Sequence, residues 1–99
     1  MALKVTKADA SHYQYFKKDV LEEGAGYIVS SSTALVGLFS FLFDGDNAKL
    51  SFTFVFDQEA ILLAVKTFLE DYPNIKTVQY MGNQNLSKIG FKQKIYTRG

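Results

Sequence analysis

The alternation of apolar and polar positions predicts three consecutive strands in the middle of the chain. Residues 27–30, 34–43 and 49–56 follow the two-residue period of a strand. Asp44, Gly45, Asp46 and Asn47 separate the last two strands and are typical of a tight hairpin turn, because glycine and Asx residues tolerate positive φ. The pattern therefore predicts a three-stranded antiparallel meander.

The middle strand of this meander is apolar on both faces, which predicts a central strand covered at least in part from both sides. Strict alternation assigns one face Leu35, Phe39, Phe41 and Phe43, and the other face Val36, Leu38 and Leu42. In the return strand it places together Leu50, Phe52, Phe54 and Phe56. These phenylalanines are interpreted as core, since a single-stranded nucleic-acid reader would interleave aromatic with basic side chains.

Helical spacing of apolar residues predicts two helices around the meander. The first would run from a cap at Asp9 or Ser11 to about Leu21 and end at glycines that supply a left-handed conformation. Its apolar face would contain Tyr13, Phe16, Val20 and Leu21. The second begins at Asp57 as N-cap and ends before Pro73. Its apolar face would contain Ile61, Leu62, Val65, Phe68, Leu69 and Tyr72.

The remaining segments complete a mixed sheet. Residues 3–6 predict a short first strand, residues 75–81 another, residues 82–85 the opening of a short helical turn, and residues 90–97 a last strand. A helix between two strands predicts a parallel crossover. The fold class is therefore α+β or α/β: one domain over residues 1–99, with a mixed, mostly antiparallel sheet, helices on both faces, and the order β-α-β-β-β-α-β-(short α)-β.

Composition narrows the chemistry. The 99 residues are 47% apolar and include no cysteine and one histidine, which excludes a thiolate nucleophile and a metal site built on cysteine or histidine clusters. The net charge of +1 divides into −4 for residues 1–71 and +5 for residues 72–99. No membrane partner is expected, because the longest apolar run has ten residues and a spanning helix needs about 20. Nucleic acid is not expected either. The start of the chain does not read as a signal peptide, so a cytoplasmic protein is expected.

The element order resembles that of the GNAT N-acetyltransferase superfamily. The likeness lies in a central strand with Val36-Gly37, the meander and long helix, and Lys88-Ile89-Gly90-Phe91 before the last strand. The resemblance implies acyl transfer from acetyl-CoA, which the family holds where the third meander strand splays from its neighbour. A glycine-rich loop there wraps the pyrophosphate at the start of the following helix.

Two departures from the family pattern place that activity in doubt. At the matching loop this chain has Asp57, Gln58 and Glu59 with no glycine, so carboxylates occupy the site of the anion. The tyrosine that the family commonly places four residues before the glycine of Gly-Phe, as general acid, is Leu86 here. Tyr80 and Tyr96 are the candidates to replace that tyrosine as general acid. No carboxylate lies within residues 49–56 to act as base.

Other polar groups are candidates for a different binding mode. If acetyl-CoA binds, we expect it to contact Asn83, Asn85, Lys88 and Lys92. The two asparagines equally suit turn formation. Lys92, Lys94 and Arg98 alternate along the last strand and suit either an acidic partner or the protection of an edge strand by charge. His12 has no evident catalytic partner.

Three hypotheses follow. The preferred one is a degenerate acyltransferase that acts as a binding or interaction module, with no cofactor and no metal expected. The second is an active minimal N-acetyltransferase that uses acetyl-CoA in a non-standard mode. The third is an unrelated small α+β structural protein. A homodimer or a protein partner is the expected form of association, since fifteen aromatic residues are many for a chain of this size to bury.

Overall fold

The computed structural model describes residues 3–12 and 14–98. The elements of this part are β1 (Lys4–Lys7), a 3₁₀ turn (Ala10–His12), α1 (Lys18–Glu23), β2 (Gly24–Ser30), β3 (Leu35–Asp44), β4 (Asn47–Val55), α2 (Gln58–Asp71), β5 (Thr77–Tyr80), a second 3₁₀ turn (Ser87–Ile89) and β6 (Ile95–Thr97).

The strands form one sheet in the order β1-β2-β3-β4-β5-β6. All neighbours are antiparallel except β4 and β5, which run parallel from the pair Asn47–Thr77 to the pair Leu50–Tyr80. The hairpin between β3 and β4 turns at Gly45, whose φ of +64° is left-handed. The predicted meander, parallel crossover and element order are confirmed.

Each face of the sheet carries a separate apolar core. The α2-side core lies between the sheet and α2 and includes the fully buried Tyr27, Phe39, Phe41, Leu50 and Phe68. The α1-side core is smaller and consists of Phe16, Ile28 and Leu38 with partly buried neighbours from α1 and β4. Helices therefore cover both faces of the sheet, as the sequence predicts.

The assignment of side chains to faces by strict alternation is wrong at the far end of the hairpin. Leu38 pairs with Phe54 and Phe39 pairs with Phe52, so Thr53 is an extra residue in β4. A bulge of this kind reverses the faces beyond it. Phe54 consequently packs in the α1-side core instead of beside Phe52.

A second irregularity acts on β3 at the same end. Val29 pairs with Gly37 and Ser30 pairs with Leu35, which leaves Val36 as the extra residue. Val36 therefore joins the α2-side core and Leu35 the α1-side core, the reverse of the predicted faces.

The predicted first helix over residues 9–21 is also wrong. A 3₁₀ turn at Ala10–His12 is followed by the short helix α1. Two side chains accept hydrogen bonds from backbone amides of this turn. Asp9 Oδ1 accepts the Ser11 N–H at 2.9 Å, and His12 Nδ1 accepts the Asp9 N–H at 3.0 Å. Such local bonds compete with helix continuation. Tyr13 lies outside the described residues. Gly24 has an extended φ of −152° instead of a left-handed one, because β2 begins there.

Candidate functional site

Strands β4 and β5 separate near the middle of β4. Their pairing ends at Leu50 and Tyr80, with one further bond from the Met81 N–H to the Leu50 carbonyl at 2.9 Å. β4 then continues to Val55 while the chain leaves the sheet after Tyr80. The open end of a parallel strand pair is where ligands of α/β sheets commonly bind.

Apolar and aromatic side chains pack in the α2-side core beside the separated strands. The rings of Phe52 and Tyr80 stack with centroids 5.2 Å apart and an interplanar angle of 6°. Leu86, which stands where the family resemblance would place a general acid, is buried in the α2-side core with only 3% of its surface exposed. An apolar side chain at that position cannot donate a proton.

The start of α2 is capped by acidic residues. Asp57 Oδ1 accepts the Glu59 N–H at 2.9 Å, which confirms Asp57 as the N-cap, and the Asp57 carbonyl accepts the Ala60 N–H at 3.0 Å. Two amide donors at this end are therefore engaged within the chain. The carboxylates of Asp57 and Glu59 add negative charge there, which opposes binding of a pyrophosphate. The residues present do not fit a CoA pyrophosphate in the usual position.

A hydrogen bond connects the start of α2 to the segment that follows β5. Gln58 Nε2 donates to the Asn85 carbonyl at 3.3 Å, and Asn85 Oδ1 accepts the Ser87 N–H at 3.0 Å. Asn85 therefore acts as a turn former and an anchor of this segment. Both interactions fix the loop between β5 and the second 3₁₀ turn.

The connection between β5 and β6 borders a half-open cavity of about 280 Å³, which we call the β5–β6 cavity. Two apolar residues, Leu86 and Phe91, and one cation, Lys94, contribute to its wall. The uncharged polar residues of the wall are Tyr80, Asn83, Gln84, Asn85, Ser87 and Gln93. The structure thus brings three of the predicted site residues, Tyr80, Asn83 and Asn85, around one space.

The Tyr80 ring occupies space that the absence of a side chain at Gly82 leaves free. A Cβ at Gly82 would lie 2.1 Å from the Tyr80 hydroxyl oxygen, so only glycine at position 82 leaves room for the ring. The hydroxyl accepts a long hydrogen bond of 3.4 Å from the Gln84 N–H. Tyr80 is otherwise a core residue, with 4% of its surface exposed.

A strained turn forms the other side of the cavity. Gln93 and Lys94 have φ values of +50° and +67°, and Lys92 and Ile95 exchange two backbone hydrogen bonds across them. This is a two-residue hairpin turn of the kind that normally uses Asn-Gly. Left-handed backbone costs non-glycine residues on the order of 1 kcal/mol each. The turn also interrupts the predicted last strand, so β6 is limited to Ile95–Thr97.

The other predicted site residues lie elsewhere. Tyr96 packs on Phe91 with centroids 5.5 Å apart and lines a separate groove with Lys66 and Arg98. Lys88 and Lys92 are exposed and are not among the residues of the β5–β6 cavity wall. Because the turn intervenes, Lys92, Lys94 and Arg98 do not form one row along a strand, contrary to the prediction.

Arg98 has a structural role. Its guanidinium donates to the carbonyls of Leu69 and Tyr72 at the end of α2, at 2.8 and 3.1 Å, and to the Ile75 carbonyl at 2.8 Å. The last carbonyls of a helix have no partner within the helix, and a cation near them is favourable. Arg98 therefore closes the C-terminal end of α2 against the strand that follows.

Asp9, Ser11 and His12 have the residue types of a hydrolase triad but not its geometry. The Ser11 hydroxyl donates to Asp9 Oδ1 at 2.6 Å, and His12 Nδ1 already accepts the Asp9 N–H. The bonds from Ser11 hold the pKa of Asp9 below its usual value. These contacts stabilise a turn: His12 Nδ1 lies 3.4 Å from the Ser11 hydroxyl oxygen but accepts the Asp9 N–H, and the hydroxyl donates to Asp9 instead.

A second opening lies along the outer surface of α2. This groove of about 360 Å³ is lined by Leu3, Leu62 and Leu63 with Glu59 and Lys66. One acid and one base offset each other there, and the groove is shallow. It lacks the convergent polar groups that characterise ligand sites. Among residues 3–12 and 14–98, no three His, Cys, Asp or Glu side chains are placed to share a metal ion.

The fold is similar to that of solved acetyltransferases. A Bacillus subtilis acetyltransferase in complex with CoA has a TM-score of 0.60 and 14% sequence identity, over 89% of this chain and 71% of that one. The IAA acetyltransferase from Bacillus cereus has a TM-score of 0.56 and 12% identity, with the same coverage. The sequence matches no protein-family model and no curated protein. The chain therefore has the GNAT acetyltransferase fold, and not the different α+β fold of the third hypothesis.

Sequence reasoning missed the residues that complete the cavity. Gln93 and Lys94 carry no turn signal, since neither glycine nor asparagine marks them. Gln58, which holds the Asn85 carbonyl, is indicated by the sequence only as part of the altered loop. Within the described residues, no helix is both long and apolar enough to cross a membrane.

Proposed function

We propose that this protein is a binding module on the GNAT fold that does not transfer acetyl groups from acetyl-CoA. The observation that carries the proposal is the start of α2, where Asp57 satisfies the Glu59 N–H and two carboxylates stand in place of an anion site. A phosphate group there would be repelled by like charge and would compete with an intramolecular cap. No cofactor is therefore expected.

The interior of the cleft supports the same proposal. Phe52 of β4 and Tyr80 of β5 stack on the α2 side of the gap between these strands, and Gln58 of α2 bonds to the Asn85 carbonyl in the segment after β5. A pantetheine arm entering this gap would have to displace an aromatic contact. Loss of such a contact costs about 0.5–1.5 kcal/mol beyond the buried area.

Calorimetric titration with acetyl-CoA, together with its effect on the thermal midpoint, tests the proposal. A ligand at 100 times its dissociation constant raises the free energy of unfolding by about 2.7 kcal/mol. We expect neither heat nor a shift of the midpoint at millimolar acetyl-CoA. Saturable binding to the unaltered protein would overturn the proposal.

The variant with Asp57→Asn and Glu59→Gln provides a matched comparison. Asparagine is as good an N-cap as aspartate, so the fold is retained while two charges are removed. If the carboxylates are what excludes the nucleotide, the neutral variant gains measurable affinity for CoA over the unaltered chain. Equal absence of binding in both proteins would assign the exclusion to the filled cleft instead.

The fold likeness to a protein solved with CoA favours an active N-acetyltransferase as the second candidate. That candidate requires acetyl-CoA in a non-standard position, near Asn83, Asn85, Lys88 or Lys92. Lys92→Glu would then weaken the binding of acetyl-CoA.

Association with a protein partner or a second copy of the chain is a separate proposal. Phe56, which is 79% exposed, is the proposed contact residue. Sedimentation of Phe56→Ser, compared with the unaltered chain, tests this proposal.

A further inference from the structure

The chemistry of the β5–β6 cavity is unlike that of the rest of the molecule. Its wall holds amide and hydroxyl side chains around two apolar residues, and its single charged group is Lys94. Every residue of the wall lies within residues 72–99, a segment that includes five basic residues and no acid. Such a lining favours an anion with further hydrogen-bonding atoms.

The Tyr80 hydroxyl is a donor available to a ligand in this cavity. Within the described part of the chain, this hydroxyl accepts a hydrogen bond from the Gln84 N–H and donates to no protein acceptor. Gly82 and the stacked ring of Phe52 fix the position of the phenol. A fixed donor costs little conformational entropy when a ligand binds.

The left-handed turn gives a second, independent reason to treat the cavity as a site. Strained backbone at non-glycine residues is concentrated at ligand clamps and active sites. Here the strain lies at Gln93 and Lys94, whose side chains line the cavity, and the Lys94 carbonyl accepts the Tyr80 N–H at 2.7 Å. This bond locks the turn to β5.

We propose that the β5–β6 cavity binds a small carboxylate that also carries an amide, with Lys94 pairing with the carboxylate and Tyr80 and Asn83 bonding to the amide. The volume of about 280 Å³ lies near the lower limit of small-molecule sites, so the ligand is small. This inference rests on the proposed function only in that the protein binds a ligand without acylating it.

Amide NMR spectra of the full chain, titrated with N-acetylglycine and with its uncharged primary amide, test the inference. We expect saturable shifts at the backbone amides of Asn83, Gln84 and Gln93, and about tenfold tighter binding of the acid, which is the usual size of one charge-assisted hydrogen bond. Absence of saturable shifts, or equal affinity for the two probes, would overturn it.

Two variants test whether Lys94 supplies the charge that pairs with the carboxylate of the ligand. Lys94→Gln is expected to bring the affinity for N-acetylglycine down to that of the amide probe. Lys76→Gln, which removes an identical charge from an exposed position of the same basic segment outside the cavity wall, is expected to leave the affinity within about twofold, since exposed charges act weakly at a distance. Equal losses in both variants would mean general attraction by the basic segment and would refute the site.

Tyr80→Phe provides a further check that keeps the ring stacked on Phe52. We expect it to weaken both probes by a similar factor of about five, the value of one neutral hydrogen bond. Acetyl-CoA added to the same samples keeps the two proposals apart. Shifts at Glu59 and Ala60 with acetyl-CoA would overturn the proposed function and leave the cavity site standing. Absence of saturable shifts with N-acetylglycine would refute the cavity site and leave the proposed function standing.

Discussion

The Tyr27 hydroxyl donates a 2.6 Å hydrogen bond to Asp71 Oδ2, joining β2 to the last residue of α2. The ring of Tyr27 is fully buried and packs edge-on against Phe41 and Phe68. Burial, and then the bond to Asp71, raise the pKa of Tyr27 well above its ordinary value. This pair is a direct polar link between the sheet and the helix.

Removal of the Tyr27 hydroxyl is expected to destabilise the fold. Tyr27→Phe keeps the packed ring and loses the bond to a carboxylate, so the free energy of unfolding should fall by about 1–2 kcal/mol. Urea denaturation followed by circular dichroism measures this. Tyr15→Phe, at a ring that is 43% exposed, is the control and should change the value by less than about 0.5 kcal/mol. Equal effects would contradict a special role for Tyr27.

The same group predicts a loss of stability in alkali. Because the pKa of Tyr27 is raised in the folded state, its contribution is complete below the unfolded value of 10.0 and declines above it, as the unfolded chain releases a proton that the native chain retains. The slope approaches about 1.4 kcal/mol per pH unit. Urea denaturation at pH values on both sides of 10 should show the advantage of the native chain over Tyr27→Phe shrinking as the pH rises. A constant difference would contradict this.

Arg98 is expected to stabilise the C-terminal end of α2. Arg98→Gln removes the donors to three carbonyls, and the free energy of unfolding should fall by about 2 kcal/mol. Arg98→Lys should recover part of the loss, because one ammonium group cannot reach both elements equally well. Lys92→Gln serves as the charge control and should be nearly neutral. A similar loss in that control would point to net charge as the cause.

The bulge at Thr53 is tested by two neighbouring phenylalanines. Phe54 is partly buried against the α1-side core and Phe56 is 79% exposed, although simple alternation would place both rings together with Phe52. Phe54→Ala should reduce the free energy of unfolding by about 2 kcal/mol. Phe56→Ala should cost less than about 0.5 kcal/mol. Comparable losses at both positions would contradict the shifted register.

The parts of the fold that the sequence predicts are those with redundant signals. The hairpin is marked by Gly45 between two long apolar runs, and α2 is marked by the cap Asp57 and by six apolar positions at helical spacing. Each element is therefore supported by several residues that agree. The hairpin and α2 account for the central part of the element order, which agrees with the acetyltransferase fold.

The errors occur where one residue changes the geometry without a chemical mark. Thr53 and Val36 are ordinary strand residues, and the bulges arise from pairing between strands, which a single sequence does not display. Gln93 and Lys94 adopt left-handed conformations that neither residue type favours. The sequence accordingly predicts part of the cavity: it indicates Tyr80, Asn83 and Asn85 as candidate site residues, whereas it assigns Lys94 to the last strand.

The parallel pairing of β4 with β5 has a consequence for the order of folding. Asn47 and Thr77, which face each other at the start of that pair and bond through their side chains, are 30 positions apart, whereas a two-residue turn joins β3 to β4. Closing the longer loop costs more chain entropy, so β5 and β6 should dock after the meander has formed. Native-state hydrogen exchange should then find β5, β6 and the cavity between them opening at a lower free energy than β2–β4. Binding of the candidate ligand would therefore stabilise the last part of the chain to fold.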